Sequence, residues 1–158
     1  MSFTRRSSID FPKFIFHELG SSNQPLTFLH KLVVRPLCQP SFPGFWRDWN
    51  PAYRYFLALY FFRPLHKLFP RWLALLLTFF ACGLLLHDVP FVNGFKWLRG
   101  QLALPTGAIL FSIFGLMTLM SESLKLDLSA YPVVIRAAAN VGWLVSGFAL
   151  CRLVIELL

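Results

Sequence analysis

Two polar side chains stand where apolar stretches end, and they are the first candidates for chemistry. His87 closes the run WLALLLTFFACGLLLH over 72–87 and is followed by Asp88. Asn50 closes the aromatic cluster FWRDWN over 45–50 and precedes Pro51. Polar and ionisable groups at the edge of membrane depth are expensive, which makes them functional candidates by default. An imidazole can gain or lose a proton near neutral pH, and a carboxamide can both donate and accept hydrogen bonds. Pro51 predicts an extended Asn50 and a helix that starts at 51. Between the two candidates lie a short helix, a turn containing Pro64 and Pro70, and a longer helix. Sixteen helical residues over 72–87 rise about 24 Å, and 51–63 return about 18–20 Å. This antiparallel hairpin predicts that Asn50 and His87 face one another at one end, within roughly 10 Å.

The elements that must position them belong to an apolar chain. Of 158 residues, 56% are hydrophobic, 17% aromatic and only 14% charged, where a soluble domain carries about a quarter charged residues. Mean hydropathy is +0.59. A soluble globular domain and a disordered chain are both excluded by this balance, which leaves a small membrane protein. The net charge of +8 is uneven: residues 1–71 hold ten of the fifteen Lys and Arg against Asp10, Glu18 and Asp48. A basic, aromatic-rich front half suits anionic lipid headgroups. Nucleic-acid binding would use the same charges, but it leaves the apolar back half unexplained. Cys38, Cys82 and Cys151 show no CxxC spacing, and His17, His30 and His66 no ligand spacing, so neither a disulfide framework nor a metal site is expected. No apolar stretch follows Arg5-Arg6 in the manner of a secretory signal.

Residues 1–43 are expected to form a polar, basic surface segment. Within it, LTFLHKLVVR over 26–35 has the spacing of a short interfacial helix. Residues 44–158 are expected to form a helical membrane domain. YFLALYFF over 55–62 is too short to span, whereas uncharged runs over 72–87, 100–121 and 137–151 predict three spans, near 71–87, 102–120 and 133–155. The fold class is therefore all-α, a polytopic integral membrane protein with about three transmembrane helices plus a short helix after Asn50. Ala138, Gly142 and Ser146 repeat at four-residue steps, which predicts a seam for close helix packing. The basic front half places the N-terminus in the cytoplasm.

The stretch 44–88 resembles the core of the membrane-bound O-acyltransferase family. Phe45-Trp46-Arg47-Asp48-Trp49-Asn50 is similar to that family's aromatic-basic motif. Cys82-Gly83-Leu84-Leu85-Leu86-His87 is similar to the helix end and turn that carry its essential histidine. One more residue separates Gly83 from His87 than in the commoner spacing, and Asp88 stands where a small residue is frequent. Family members also carry many more transmembrane helices. The resemblance implies transfer of an acyl group from a thioester, acyl-CoA or an acylated carrier, to a hydroxyl acceptor, with no further cofactor. It implies His87 as general base and Asn50 as hydrogen-bond donor to the developing oxyanion. Arg47, Arg54 and Trp49 would bind substrate, the two arginines by holding a phosphate or headgroup.

Another reading needs no catalysis. A histidine at a helix end also marks a membrane interface, and the aromatic residues 46, 49, 53, 55 and 60 also suit an interfacial belt. The chain would then be a membrane subunit, packing with copies of itself or other chains through the small-residue seam. Its partners are in either case the lipid bilayer and no nucleic acid.

Overall fold

The computed structural model describes residues 11–19, 25–92 and 104–157. Regular structure among the described residues is entirely helical, with no strand, as uncharged runs in lipid require. The order is α1 (Phe11–Leu19), α2 (Pro25–Leu29), a π-helical turn π1 (His30–Val34), α3 (Arg35–Leu37), α4 (Phe42–Asp48), α5 (Pro51–Leu57), π2 (Ala58–Phe62), α6 (Arg63–Leu68), α7 (Arg71–Gly83), π3 (Leu84–Val92), α8 (Thr106–Ser123) and α9 (Val133–Leu157). The rest of the N-terminal surface segment, and residues 93–103 with Lys96 and Arg99, lie outside the described residues.

Three helices are long and apolar enough to cross a membrane: Arg71–Pro90, Thr106–Ser123 and Val133–Leu157. At 1.5 Å per residue they measure about 30, 27 and 37 Å, against a hydrocarbon core of about 30 Å. The chain is a multi-pass membrane protein. The first span runs on past the expected stop at His87, through Asp88 to Val92. Burial explains how a carboxylate is tolerated there. Asp88 is fully buried and accepts the N–H groups of Gly107 at 2.8 Å and Ala108 at 2.7 Å, at the N-terminus of α8. A helix N-terminus carries partial positive charge and unpaired N–H groups, so it solvates the anion.

Helices α7 and α8 are antiparallel. At one end Arg71 binds Glu122 through two bonds of 2.7 and 2.8 Å. At the other end Gly83 lies on Gly107, so close that a Cβ on Gly83 would come 2.2 Å from the Gly107 carbonyl oxygen. Only glycine permits that approach. Helix α9 lies on α8, with Gly147 under the Phe114 ring and the Cys151 Sγ 3.8 Å from the Thr106 carbonyl oxygen. The face of α9 turned inward carries Asn140, Trp143, Gly147 and Cys151. The expected seam of Ala138, Gly142 and Ser146 is exposed, and a Cβ on Gly142 would meet nothing within 4 Å. Among the described residues the seam packs no helix.

Helix α4 packs across the bundle, and Phe42 and Phe45 join Phe114 and Met117 in the buried core. Asn140, 2% exposed, donates to the carbonyls of Leu37 and Gln39 at 2.8 Å each, and the Leu128 N–H donates to Pro40 at 2.8 Å. The stretch 35–43 is thereby tied to the membrane helices, and α4 runs through residues 43 and 44 without a break. Helix α1 rests on α5, with Phe11 on Tyr55 and Phe56, and Phe14 on Tyr55.

Candidate functional site

The motif segment is positioned by two caps. Ser41 opens α4, its Oγ accepting the Gly44 N–H at 3.2 Å, and Pro43 occupies the first turn where its missing N–H costs nothing. Helix α5 starts at Pro51 as the sequence predicts, but Asn50 is not extended. Its φ of 39° and ψ of 81° are left-handed, and its Oδ1 accepts the Tyr53 N–H at 3.3 Å. Asparagine tolerates this conformation because its short polar side chain bonds locally. The cap holds the carboxamide by its oxygen, which leaves Nδ2 as the side able to donate elsewhere.

Between the α5–π2–α6 rod on one side and α7 and α8 on the other lies an apolar cavity of about 280 Å³. Arg47, Trp49 and Arg54 line it together with Leu57, Phe62, Leu75, Phe79, Cys82 and Phe111. Three of the five expected site residues thus share one recess. Neither Asn50 nor His87 is among the lining residues. The His87 ring stacks on the lining residue Phe111 at 4.6 Å, while Trp46 meets Phe111 at 5.9 Å. Phe111 is therefore the residue that the motif helix, the cavity and the histidine have in common. Nothing in the spacing of the sequence marked it.

The two arginines already have partners. Arg47 donates to Asp48 at 3.4 Å and to the Gln39 side chain at 3.2 Å. Arg54 pairs with Glu18 at 2.9 Å, lies 5.2 Å from the centre of the Phe14 ring, and donates to the Arg47 carbonyl. Asp48, 6% exposed, also takes Arg35 at 3.0 Å and Gln39 at 2.7 Å. The buried acid is thus neutralised and hydrogen-bonded, the condition under which a carboxylate survives burial. Trp49 is 38% exposed and stacks on Phe45 at 5.4 Å. Trp46 is enclosed by the rings of Phe42, Phe45, Phe79, Phe111 and Phe114. Its buried Nε1 meets no oxygen or nitrogen acceptor, so aromatic faces are what remains to receive the N–H.

His87 itself stands on π3. A π-helical turn makes i→i+5 bonds and commonly absorbs one inserted residue, often at a functional site. The three residues between Gly83 and His87 fall in this wider winding. Asp88, which the sequence marked only as a departure from a pattern, turns out to hold the α8 N-terminus. Among the described residues no cluster of three or more His, Cys, Asp or Glu could hold a metal ion. No protein-family model, curated protein or solved structure matches this chain.

Proposed function

We propose that the protein is a membrane acyltransferase, moving an acyl group from a thioester to a hydroxyl. The observation that carries this reading is the cavity. It is apolar as an acyl chain requires, it is bordered by Arg47, Trp49 and Arg54 of the motif segment, and one of its lining rings, Phe111, stacks on His87. Displacement of that ring would open the imidazole to the cavity. His87 would then accept the proton of the acceptor hydroxyl as its oxygen attacks the thioester carbonyl. Asn50 caps α5 from outside the cavity lining, so its Nδ2 would serve the developing oxyanion only if the cap also turned toward the acyl carbonyl. Collapse expels the thiolate, which leaves with the proton. The donor is acyl-CoA or an acylated carrier, and no other cofactor is required. The excess of Lys and Arg in the front half supports a cytoplasmic N-terminus.

The test is transfer from palmitoyl-CoA to a panel of hydroxyl acceptors by the full chain in lipid nanodiscs. His87→Ala is expected to lose activity about 10²–10⁴-fold, the usual share of a general base, with its unfolding temperature unchanged. Undiminished transfer by a folded His87→Ala variant would remove the histidine from the reaction.

The second reading, a non-catalytic membrane subunit, is favoured by one observation: Ala138, Gly142 and Ser146 face outward with open space around Gly142. A second helix could approach closely there, from another copy or another chain. Unaltered behaviour of His87→Ala, together with cross-linking through Gly142→Cys, would select that reading.

A further inference from the structure

The cavity does not end among the motif residues. Along α7 its lining runs from Arg71 to Cys82, and along α8 from Glu122 back to Phe111. Each stretch spans eleven residues in sequence, about 16 Å of helix. At the Arg71–Glu122 end it reaches His66, which is exposed, and Arg71, whose side chain is 42% exposed. The cavity is therefore a slot lying along the helices, open at the end of the bundle where α6, α7, α8 and α9 turn.

That end is chemically distinct. It carries Arg63, Lys67, Arg71, Lys125 and Arg136 against Glu122 and Asp127. Arg71 is held by Glu122, and Arg136 donates to the carbonyls of Leu128, Ser129 and Tyr131. Lys67 and Lys125 are exposed and have no carboxylate within ion-pair distance among the described residues. Lys67 follows the lining residue His66, and Lys125 shares a second, shallower recess with Glu122. Lys67 on α6 and Lys125 just past α8 stand beside lining residues, one after His66 and three after Glu122, and neither lines the slot itself. Around them, Leu68 is 78%, Trp72 54% and Tyr131 51% exposed. Exposed aromatics interleaved with cations belong at the headgroup level of a bilayer. Arg47 and Arg54, which also line the slot, are spent on Asp48, Gln39 and Glu18.

We propose that this slot binds an anionic phospholipid, its headgroup held by Lys67 and Lys125 beside the Arg71–Glu122 pair and one acyl chain laid along α7 toward Cys82 and Phe111. The proposal goes beyond the acyltransferase reading: with the headgroup at the Arg71 end, the carbonyls and hydroxyls of this lipid lie about 16 Å from Phe111, so it is a resident ligand of the slot and not the reacting partner of His87.

The experiment is native mass spectrometry of the full chain in neutral detergent, with phosphatidylglycerol and phosphatidylcholine of equal chain length. Wild type should retain phosphatidylglycerol at least about fivefold over phosphatidylcholine. Lys67→Gln and Lys125→Gln should each weaken that retention about fivefold, the worth of one cation near an anionic surface. Leu75→Trp, which fills the slot, should lower retention of both lipids. Should Leu75→Trp lose its helical circular dichroism, Ala58→Leu on the facing wall carries the same test. Arg152→Gln, at the far end of α9, should change nothing. Equal retention of the two lipids, or lysine variants indistinguishable from Arg152→Gln, would overturn the site. Displacement of the lipid by millimolar inorganic phosphate would overturn it too, in favour of a free-anion site. Selective retention without any acyl transfer would leave the site standing and remove the reaction. Transfer that persists without selective retention would do the reverse.

Discussion

Helices α5–α6 and α8 both lean on α7, and they are held there by opposite means. Against α8 the backbones touch. Gly83 lies on Gly107, Asp88 reaches across to two N–H groups, and Arg71 closes the far end on Glu122. Against the α5–α6 rod, the bulky Leu57, Phe62, Leu75 and Phe79 hold the helices apart and leave the cavity between them. Glycine at a crossing removes any room for a ligand, and large side chains that do not interdigitate create it. One helix thus has a structural face and a receptive face.

The largest expected effect tests the structural face. Gly83→Ala drives a methyl group into the Gly107 carbonyl, a backbone atom with no rotamer to yield. The cost should reach about 3 kcal/mol or more, the upper range of overpacking, seen as a lowered unfolding temperature. Gly142→Ala on the outward seam should be neutral or raise stability by up to about 1 kcal/mol, the helix preference of alanine. Equal behaviour of the two variants would dissolve the contrast between the faces.

Next is Asp88. Asp88→Ala strands two buried N–H groups and should cost about 2–4 kcal/mol. Asp88→Asn keeps one acceptor and should cost about half as much. A smaller loss, about 1–2 kcal/mol, is expected of Asn140→Leu, which removes two hydrogen bonds to the stretch before α4. Limited proteolysis should then cut faster within residues 35–43. Smallest is Arg152→Gln, which breaks an exposed pair with Glu156 at i+4. It should shift stability by no more than about 0.5 kcal/mol, and a larger change would show that the outward face of α9 is not merely solvated or lipid-facing.

The three spans were legible because hydropathy over twenty residues is a one-dimensional property, and lipid leaves a helix as the solution. The start of α5 was legible in Asn50-Pro51 for a local reason, the fixed φ of proline. What escaped the sequence was relational. The spacing of Ala138, Gly142 and Ser146 is correct for a helix seam, yet nothing in it says which way the helix is rotated. Asn140 and Gly147, two and five residues from Gly142, took the inner face instead. Asp88 looked like an interruption because its partners, the amides of Gly107 and Ala108, lie nineteen and twenty residues away. Likewise Phe111 carries no motif, and its place beside both the cavity and His87 follows only from the packing of α8 on α7. The left-handed Asn50 was hidden because a residue before proline is ordinarily extended.

The hydrogen bonds from Gly107 and Ala108 to Asp88 make a clasp. They fasten the end of one membrane helix to the beginning of the next, independently of the chain that joins them through 93–103. A cut in that stretch would leave two fragments still buckled at both sides of the break. In that sense the covalent link between the first two spans is an accessory to a junction the carboxylate already makes.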